Sequence, residues 1–280
     1  MEYVTLNNGI KMPVLGYGVY QVTNDECERC VLDAVSVGYR SIDTAQAYGN
    51  EEAVGCAVKK CGVSRDQIFI TTKVWITNGG YENAKKSLYE SLKKLQSDYI
   101  DLVLIHQPFN DYYGTYRAME EAYKEGWLRA IGVSNFYPDR LVDLCSFVDV
   151  KPAVNQVETH VFQQQKKAHE YMEKYKIIHE SWGPFAEGRK DFFTNPVLKE
   201  IGEKYGKSVA QTALRFLIQS GVVVIPKSTH KERMEQNIDV FDFMLSNEEM
   251  AAIAALDEGE SLFFSHYDPA VVEMLTSLHN

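Results

Sequence analysis

The stretch Gly38–Gly55, GYRSIDTAQAYGNEEAVG, determines the fold that we predict for the rest of the chain. Its first part, Arg40–Asp43, alternates polar and apolar residues as a short strand does. A loop that carries Tyr48 follows, and a helical pattern resumes at Glu51. This order places a carboxylate at the C-terminal end of a strand and a phenol just before the next helix.

Two later strands end on ionisable side chains in the same way. We predict a strand over 68–73 that ends on Lys73, and a strand over 100–105 that is followed by His106. Further strands are predicted at 14–20, 40–43, 128–133, 153–157, 176–180 and 222–225. Helices are predicted at 24–37, 50–60, 81–96, 115–125, 138–147, 194–204, 208–219, 230–236 and 246–256.

This alternation of strands and helices predicts an α/β fold with right-handed crossovers and a parallel sheet. About eight units in roughly 220 residues fit a (β/α)8 TIM barrel. The segment Gly16–Gly18 has only two of the three glycines of a doubly wound dinucleotide fold. Residues 3–6 and 10–13 predict an N-terminal β-hairpin with a type I′ turn at Asn8-Gly9. The last two predicted helices are C-terminal additions, and the absence of a composition break predicts one domain over 1–280.

The charge balance excludes several classes of partner. With 29 basic and 39 acidic residues, the formal net charge is −10. A general surface for nucleic acid or for an anionic membrane needs an excess of basic residues. The beginning of the chain has no targeting pattern, and no apolar run approaches the ~18 residues of a membrane span. We therefore expect a cytoplasmic protein, monomeric, that binds neither nucleic acid nor membrane.

The five cysteines do not predict a metal site. Cys27 and Cys30 have C-x-x-C spacing, but they lie in a helical pattern behind a predicted capping box, Thr23–Glu26. No second cysteine pair or histidine pair completes a zinc ligand set. An odd number of cysteines suits a reducing compartment.

Polar side chains at the strand ends indicate a site, because active sites of (β/α)8 barrels lie at the C-terminal ends of the strands. Each side chain alone has a structural explanation, such as a satisfied histidine, a packed tyrosine or an isolated ion pair. Burying several such groups at one rim without a purpose is costly. The groups that we expect at this rim are Asp43, Lys73, His106, Asn135, Gln156 and Lys227.

These residue types suit proton transfer. A free tyrosine has a pKa near ~10, and a lysine ammonium within about 4–6 Å favours the phenolate. We therefore interpret Asp43, Lys73 and Tyr48 as a general acid supported by charge, with His106 orienting a carbonyl oxygen. The reaction that fits is reduction of a carbonyl or oxidation of an alcohol. Because no side chain can supply a hydride, a nicotinamide cofactor is required.

Six motifs along the chain resemble the aldo-keto reductase superfamily. They are GYRSIDTAQAYGNEEAVG at 38–55, TTKVW at 71–75, LVLIHQP at 102–108, GVSNF at 132–136, VNQVE at 154–158 and VVIPKSTHKERMEQN at 223–237. The resemblance implies a (β/α)8 barrel with Tyr48 as general acid. It also implies that Asp43 and Lys73 support Tyr48 and that His106 orients the carbonyl.

The resemblance further implies NADPH as cofactor. Trp182 would stack on the nicotinamide ring where many members have Tyr, and Gly183 stands where the family commonly has Ser. The loop 183–189 would cover the pyrophosphate. A basic segment would hold the 2′-phosphate, because an ammonium, hydroxyls and a guanidinium suit a dianion. The implied cofactor residues are Gly18, Val19, Asp43, Ser134, Asn135, Gln156, Trp182, Gly183, Phe185, Lys227, Ser228, Thr229, Arg233, Gln236 and Asn237.

The substrate pocket would be aromatic. Its expected lining is Tyr20, Tyr48, Trp75, His106 and Phe109, with Phe263–Tyr267 of the tail, and Gln107 stands where some members have Trp. The sequence most resembles the group of 2,5-diketo-gluconate reductases, methylglyoxal-reducing enzymes and protozoan prostaglandin F synthases. We therefore expect small α-dicarbonyls or keto-sugars as substrates. Two alternatives remain open, namely an NADPH-binding regulatory or sensor subunit with little turnover and a store protein that only binds NADPH.

Overall fold

Eight parallel strands form the main sheet of the computed structural model, which describes residues 1–277. Each strand pairs with the next along the chain, and the bridge between Leu15 and Val224 joins the two ends of the sheet. The backbone N–H of Gly16 donates to Val224 O at 2.8 Å across this junction. The strands are β3 (Tyr17–Gly18), β4 (Ser41–Asp43), β5 (Phe69–Val74), β6 (Leu102–Ile105), β7 (Ile131–Ser134), β8 (Val154–Glu158), β9 (Ile178–Trp182) and β10 (Val223–Val224). The predicted (β/α)8 barrel is confirmed.

Helices cover the outside of this barrel with their apolar faces turned inward. In α1, for example, Cys27, Val31 and Ala34 are buried, and their spacing of three and four residues puts them on one face. The α-helices of the described part are α1 (Asn24–Ser36), α2 (Glu51–Lys60), α3 (Tyr81–Leu95), α4 (Tyr112–Lys124), α5 (Pro138–Phe147), α6 (Lys166–Tyr175), α7 (Pro196–Tyr205), α8 (Val209–Gln219), α9 (Lys231–Ile238), α10 (Asn247–Ala254) and α11 (Pro269–Ser277). Among residues 1–277, no helix combines the length and apolar character that crossing a membrane requires.

A small apolar cluster fills the lower part of the barrel interior. Phe69, Leu102, Leu104, Val154 and Val223 belong to it. Leu6 and Met12 join from the N-terminal hairpin, which pairs β1 (Tyr3–Thr5) with β2 (Lys11–Pro13). Because strand side chains alternate between faces, the inward positions nearer the C-terminal rim include Lys73 and Gln156, which are polar. The hairpin and the apolar cluster thus close the N-terminal end of the barrel, and the polar groups lie at the other end.

Two local predictions are wrong. The hairpin turn is not type I′, because Gly9 has a φ of +88° but Asn8 is not in the left-handed region. Leu6 O instead accepts from Gly9 N at 2.9 Å, and Leu6 N donates to Ile10 O at 2.8 Å, which makes a three-residue loop. The capping box at Thr23 does not form either, because Thr23 caps no backbone N–H with its side chain. The Glu26 carboxylate pairs with Arg29 at 3.4 Å, one turn further along α1.

Two helices were not predicted. In α6 the side chains of Ala168, Tyr171, Met172 and Tyr175 recur at helical spacing, so the sequence carried a signal for this helix that was missed. In α11 only Leu275 is buried, and most of its other side chains are partly or fully exposed. The weak apolar face of α11 gives little signal, since periodicity is the main evidence for a helix in a sequence.

Candidate active site

A buried ion pair lies at the centre of the C-terminal rim. Asp43 ends β4 and Lys73 lies in β5, the neighbouring strand. The Lys73 side chain is fully buried, and its Nζ lies 2.5 Å from Asp43 Oδ1. The same ammonium donates to Thr44 O at 3.1 Å and to the Tyr48 hydroxyl at 3.3 Å. Asp43, Lys73 and Tyr48 are thus brought together as the sequence predicts.

The local chain explains why Tyr48 reaches this ion pair. Gln46–Tyr48 forms one 3-10 turn between β4 and α2, and Gly49 ends it in the left-handed conformation at a φ of +70°. The buried Asn50 ties this turn to the barrel, because its Nδ2 donates to Val19 O at 3.0 Å and its Oδ1 accepts from Thr44 at 2.7 Å. These contacts hold the phenol over the strand end.

The electrostatics of the three groups follow from burial and charge. Burial opposes the charge on Lys73, but Asp43 and Tyr48 outweigh burial and raise the lysine pKa above its ordinary value. Burial raises the pKa of Tyr48, Lys73 lowers it and Asp43 raises it again, with a net increase. Lys73 therefore acts on the phenol in the predicted direction, but burial is the larger effect. The phenol is protonated at neutral pH.

His106 lies directly after β6 beside the phenol. Its ring centroid is 5.6 Å from that of Tyr48 and 4.9 Å from that of Trp75. Burial lowers the pKa of His106 well below its ordinary value, and the charge of Lys73 adds to this effect. Its Nδ1 is buried and has no hydrogen-bond partner within residues 1–277. The imidazole is therefore neutral at physiological pH.

Three residues predicted to hold the nicotinamide carboxamide lie together on β7 and β8 and in the loop after β7. Ser134 and Gln156 are ladder partners, and Ser134 Oγ donates to Gln156 O at 2.9 Å. Asn135 has a φ of +62°, a conformation that asparagine tolerates better than most residues. Its Nδ2 donates to His106 O at 3.0 Å, and its Oδ1 accepts from the Trp182 indole at 2.9 Å. This network joins the amide groups to the predicted stacking residue.

Glu180 is a buried carboxyl group beside this network that the sequence analysis did not single out. It lies on β9, is 1% exposed, and is the ladder partner of Gln156. Gln156 Nε2 donates to Glu180 Oε2 at 2.9 Å and to Asp43 Oδ2 at 2.9 Å. The signal in the sequence was its spacing, since Glu180 stands two residues before Trp182 and so faces the same side of the strand.

The loop after β9 begins with a tight turn at Gly183, where Ala186 N donates to Gly183 O at 2.8 Å. Gly183 has a φ of +65°, in the left-handed region that a serine would adopt only with strain. A glycine therefore suits this position. Phe185 anchors the loop by packing on Phe192, with ring centroids 5.8 Å apart. Trp182 packs on Phe263 of the tail at 5.3 Å.

The predicted 2′-phosphate segment follows β10. Gly18 approaches this strand end so closely that a Cβ would lie 3.0 Å from Ile225 O, and its N–H donates to Pro226 O at 3.2 Å. Val19 N–H donates to Asp43 O at 3.0 Å, which puts the predicted Gly18-Val19 pair beside the strand ends. The predicted residues here divide into the exposed Lys227, Arg233 and Gln236, the partly buried Thr229, and the buried Ser228 and Asn237.

Arg29 on α1 was also missed, since it is distant in sequence from this segment. Its Nη1 lies 3.4 Å from Thr229 O, and its guanidinium pairs with Glu26 and Asp33. By contrast, Lys227 and Arg233 form no ion pair with the described residues. Two unpaired cations are therefore available at this edge of the barrel.

The predicted substrate residues surround Tyr48 and His106. Tyr20 is 52% exposed, with its ring centroid 5.0 Å from that of Tyr48. Trp75 and Phe109 pack in one cluster with Leu275 of α11. The tail therefore reaches this pocket through a helix as well as through the predicted residues Phe263–Tyr267.

His266 and Gln107 form a contact in this pocket that was not predicted. His266 Nε2 lies 2.6 Å from Gln107 Oε1, and the His266 ring stacks on Phe109 at 5.9 Å. Burial lowers the pKa of His266 to about 4, so the ring is neutral and can donate to the amide oxygen. The tail is thereby fixed to the residue that follows His106.

Comparisons with known proteins show the family to which the chain is similar. Residues 14–258 match the model of the Aldo/keto reductase family. The chain is 48% identical over 261 residues to the glyoxal reductase of Bacillus subtilis, which covers 92% of this chain and 94% of that protein. It is 44% identical over 262 residues to a methylglyoxal reductase of Escherichia coli, with 92% and 94% covered. An aldo-keto reductase of Bombyx mori solved in complex with NADP has a TM-score of 0.90 and 34% identity, and the match covers 97% of this chain and 96% of that chain.

Proposed function

The chain belongs to the aldo/keto reductase family and is an oxidoreductase, and we propose that it reduces small aldehydes and ketones to alcohols with NADPH. The observation that most strongly supports this proposal is the contact of the buried Lys73 ammonium with both Asp43 and Tyr48. The relatives that reduce glyoxal and methylglyoxal support small α-dicarbonyls as the first substrates to test. Keto-sugars are the second class.

The residues present fit a nicotinamide cofactor, which would supply the hydride when bound. Both hydrogens of the Gln156 amide face carboxyl groups, so its Oε1 is left to accept from a carboxamide. Ser134 and Asn135 lie beside it, and Trp182 offers an aromatic face. The unpaired Lys227 and Arg233 suit the additional phosphate of NADPH.

Tyr48 would donate the proton to the carbonyl oxygen. The phenol is protonated at neutral pH, and the phenolate that remains after donation is stabilised by the Lys73 ammonium at 3.3 Å. Asp43 keeps Lys73 charged and directed to the phenol. Fixed charge of this kind acts where charge develops during the reaction.

His106 would orient the substrate carbonyl. An orphaned buried N–H is rarer than an orphaned acceptor, so we assign the proton to Nε2 and leave Nδ1 unprotonated. A neutral Nε2–H can donate to the carbonyl oxygen without competing with Tyr48 for the proton. Tyr20 and Trp75 would line the side of the pocket, and an aromatic lining discriminates weakly among apolar shapes.

The first test is consumption of NADPH with methylglyoxal, glyoxal and a panel of aldehydes. Tyr48→Phe should lower kcat by a factor of about 100 or more, because general acid catalysis contributes about that much. The Kd of NADPH, measured by quenching of tryptophan fluorescence, should change by about twofold or less, since the ring is retained.

Tyr113→Phe is the matched control. Its hydroxyl donates to Asp143 on α5, on the outside of the barrel, and the change should leave kcat as it is. Full turnover by Tyr48→Phe would refute the general-acid role. NADPH binding without turnover by the unchanged protein would favour a sensor subunit, and no binding would refute the cofactor assignment.

A further inference from the structure

Glu180 stands at the end of a continuous row of side chains in the barrel interior. It runs from Glu180 through Gln156, Asp43 and Lys73 to Tyr48, with contacts of 2.9, 2.9, 2.5 and 3.3 Å. Four of these five side chains belong to the site proposed above. Glu180 has no role in it, although a buried acid is costly to keep without one.

Charge balance makes this carboxyl group unusual. Lys73 is the counterion of Asp43, and the Gln156 side chain lies between Glu180 and this ion pair. The ladder partner of Glu180 on β10 is Val223, which is apolar. The neighbouring His179 faces the other side of β9 and pairs with His169 on α6, their Nδ1 atoms 3.0 Å apart. Within the described chain, the charged and titratable groups that act on Glu180 are therefore Asp43 and Lys73, with Tyr48 beyond them.

We propose that Glu180 is a positioning residue, which holds the Gln156 amide so that Nε2 faces the two carboxyl groups and Oε1 is presented to the cofactor. An amide with one acceptor partner could rotate to exchange its O and N atoms. Two acceptors on the same side, Asp43 and Glu180, define one orientation. This inference rests on the proposed function, because it gives Gln156 a cofactor to bind.

A second consequence concerns charge. Burial and the charge of Asp43 raise the pKa of Glu180, the Gln156 hydrogen bond and Lys73 lower it, and together they give a pKa of about 8. At pH 7 Glu180 is a neutral acid, so within the row the Lys73 ammonium interacts with the charge of Asp43 and with the Tyr48 hydroxyl only. At pH values above about 8, Glu180 ionises and adds a negative charge to the row of side chains. This charge makes the Tyr48 phenolate harder to form and slows proton donation.

Three variants separate these effects. Glu180→Gln retains an oxygen that accepts from Gln156 but cannot ionise, and Glu180→Leu removes the acceptor at similar size. Glu120→Gln is the matched control, since Glu120 is buried on α4 and accepts from Val150 N at 2.8 Å away from the row. NADPH Kd is measured by fluorescence at pH 7, and kcat with methylglyoxal is measured from pH 6 to pH 10.

Glu180→Leu should raise the NADPH Kd about tenfold, and Glu180→Gln should keep it within about twofold. The kcat of the unchanged protein and of Glu120→Gln should fall to a lower plateau as the pH rises through the Glu180 pKa of about 8, and Glu180→Gln should stay level to about pH 9. Equal Kd values for all variants would overturn the positioning role. The same fall in kcat for Glu180→Gln would overturn the charge effect.

Thermal unfolding without cofactor tests the burial of this acid independently of turnover. The folded pKa of Glu180 is raised above the ordinary value of 4.5, so its stabilising contribution is complete below that value and is lost as the pH rises through about 8. Relative to Glu180→Gln, the Tm of the unchanged protein should therefore fall from pH 5 to pH 9. A constant difference refutes the inference about Glu180. If the Tm difference falls as expected but the protein oxidises no NADPH with any carbonyl tested, the inference about Glu180 stands and the proposed function is refuted.

Discussion

The pair of Asp43 and Lys73 shows how one substitution can affect both stability and chemistry. Lys73 is fully buried, and its ammonium depends on Asp43 for a counterion 2.5 Å away. Removing one partner of a buried pair leaves an uncompensated charge. We expect Asp43→Asn to lower the free energy of unfolding by about 3–5 kcal/mol, as measured by urea denaturation.

The control for this change is Asp149→Asn. Asp149 is 85% exposed at its side chain and lies 3.8 Å from Lys124, so it is a surface ion pair. Its loss should alter the free energy of unfolding by less than about 1 kcal/mol. Asp43→Asn with unchanged stability would contradict the view that Asp43 is what makes the buried Lys73 charge tolerable.

Individual residues also show what sequence reasoning can find. Asp43, Lys73 and His106 each lie at or directly after the C-terminal end of a strand, so the barrel rule alone predicts that they meet. Glu180 was missed because its role depends on a partner on the preceding strand β8, Gln156, and on the register between the two strands. The register of two strands is a tertiary property, which no local pattern in β9 reveals.

The tail shows the same limit in a whole segment. Ser261 donates to Glu158 on β8, Leu262 N donates to the same carboxylate at 2.9 Å, and Arg189 donates to Leu262 O at 2.6 Å. These contacts fix the segment that leads to α11. The strands and most helices were predicted because burial repeats along them, whereas α11 packs through few residues and its position depends on these distant contacts.

We expect α11 to shape the substrate pocket, because Leu275 packs in one cluster with Phe109 and Trp75. Leu275→Ser should raise the KM of an aromatic aldehyde about tenfold, since a buried apolar side chain contributes about 1.5–3 kcal/mol. Met274→Ser is the matched control, because Met274 is 52% exposed on the same helix. Equal KM values for the two variants would contradict a role of α11 in the pocket. The Kd of NADPH should be similar for both.

The proposed cofactor site draws on the two ends of the closed sheet. Gly18 lies on β3, and Lys227 follows β10, so the site is complete only when the bridge between Leu15 and Val224 has closed the barrel. A ligand that binds only the folded protein raises its stability by RT ln(1 + [L]/Kd), about 2.7 kcal/mol at 100 times Kd. We propose that the chain is a single domain and a monomer, and that cofactor binding raises the free energy of unfolding of the whole barrel.

The chain carries a net charge of −10, so its general electrostatic field opposes a polyanionic cofactor and the cations must act locally. Arg233 is exposed and unpaired within residues 1–277, and its guanidinium fork suits a phosphate dianion. We expect NADPH to raise the Tm more than NADH at equal concentration. Arg233→Ala should remove most of that difference, because NADH lacks the phosphate. Lys199→Ala on α7 removes the same charge at a distant exposed site, and it should keep the difference. A difference that survives in Arg233→Ala would show that the 2′-phosphate is bound elsewhere.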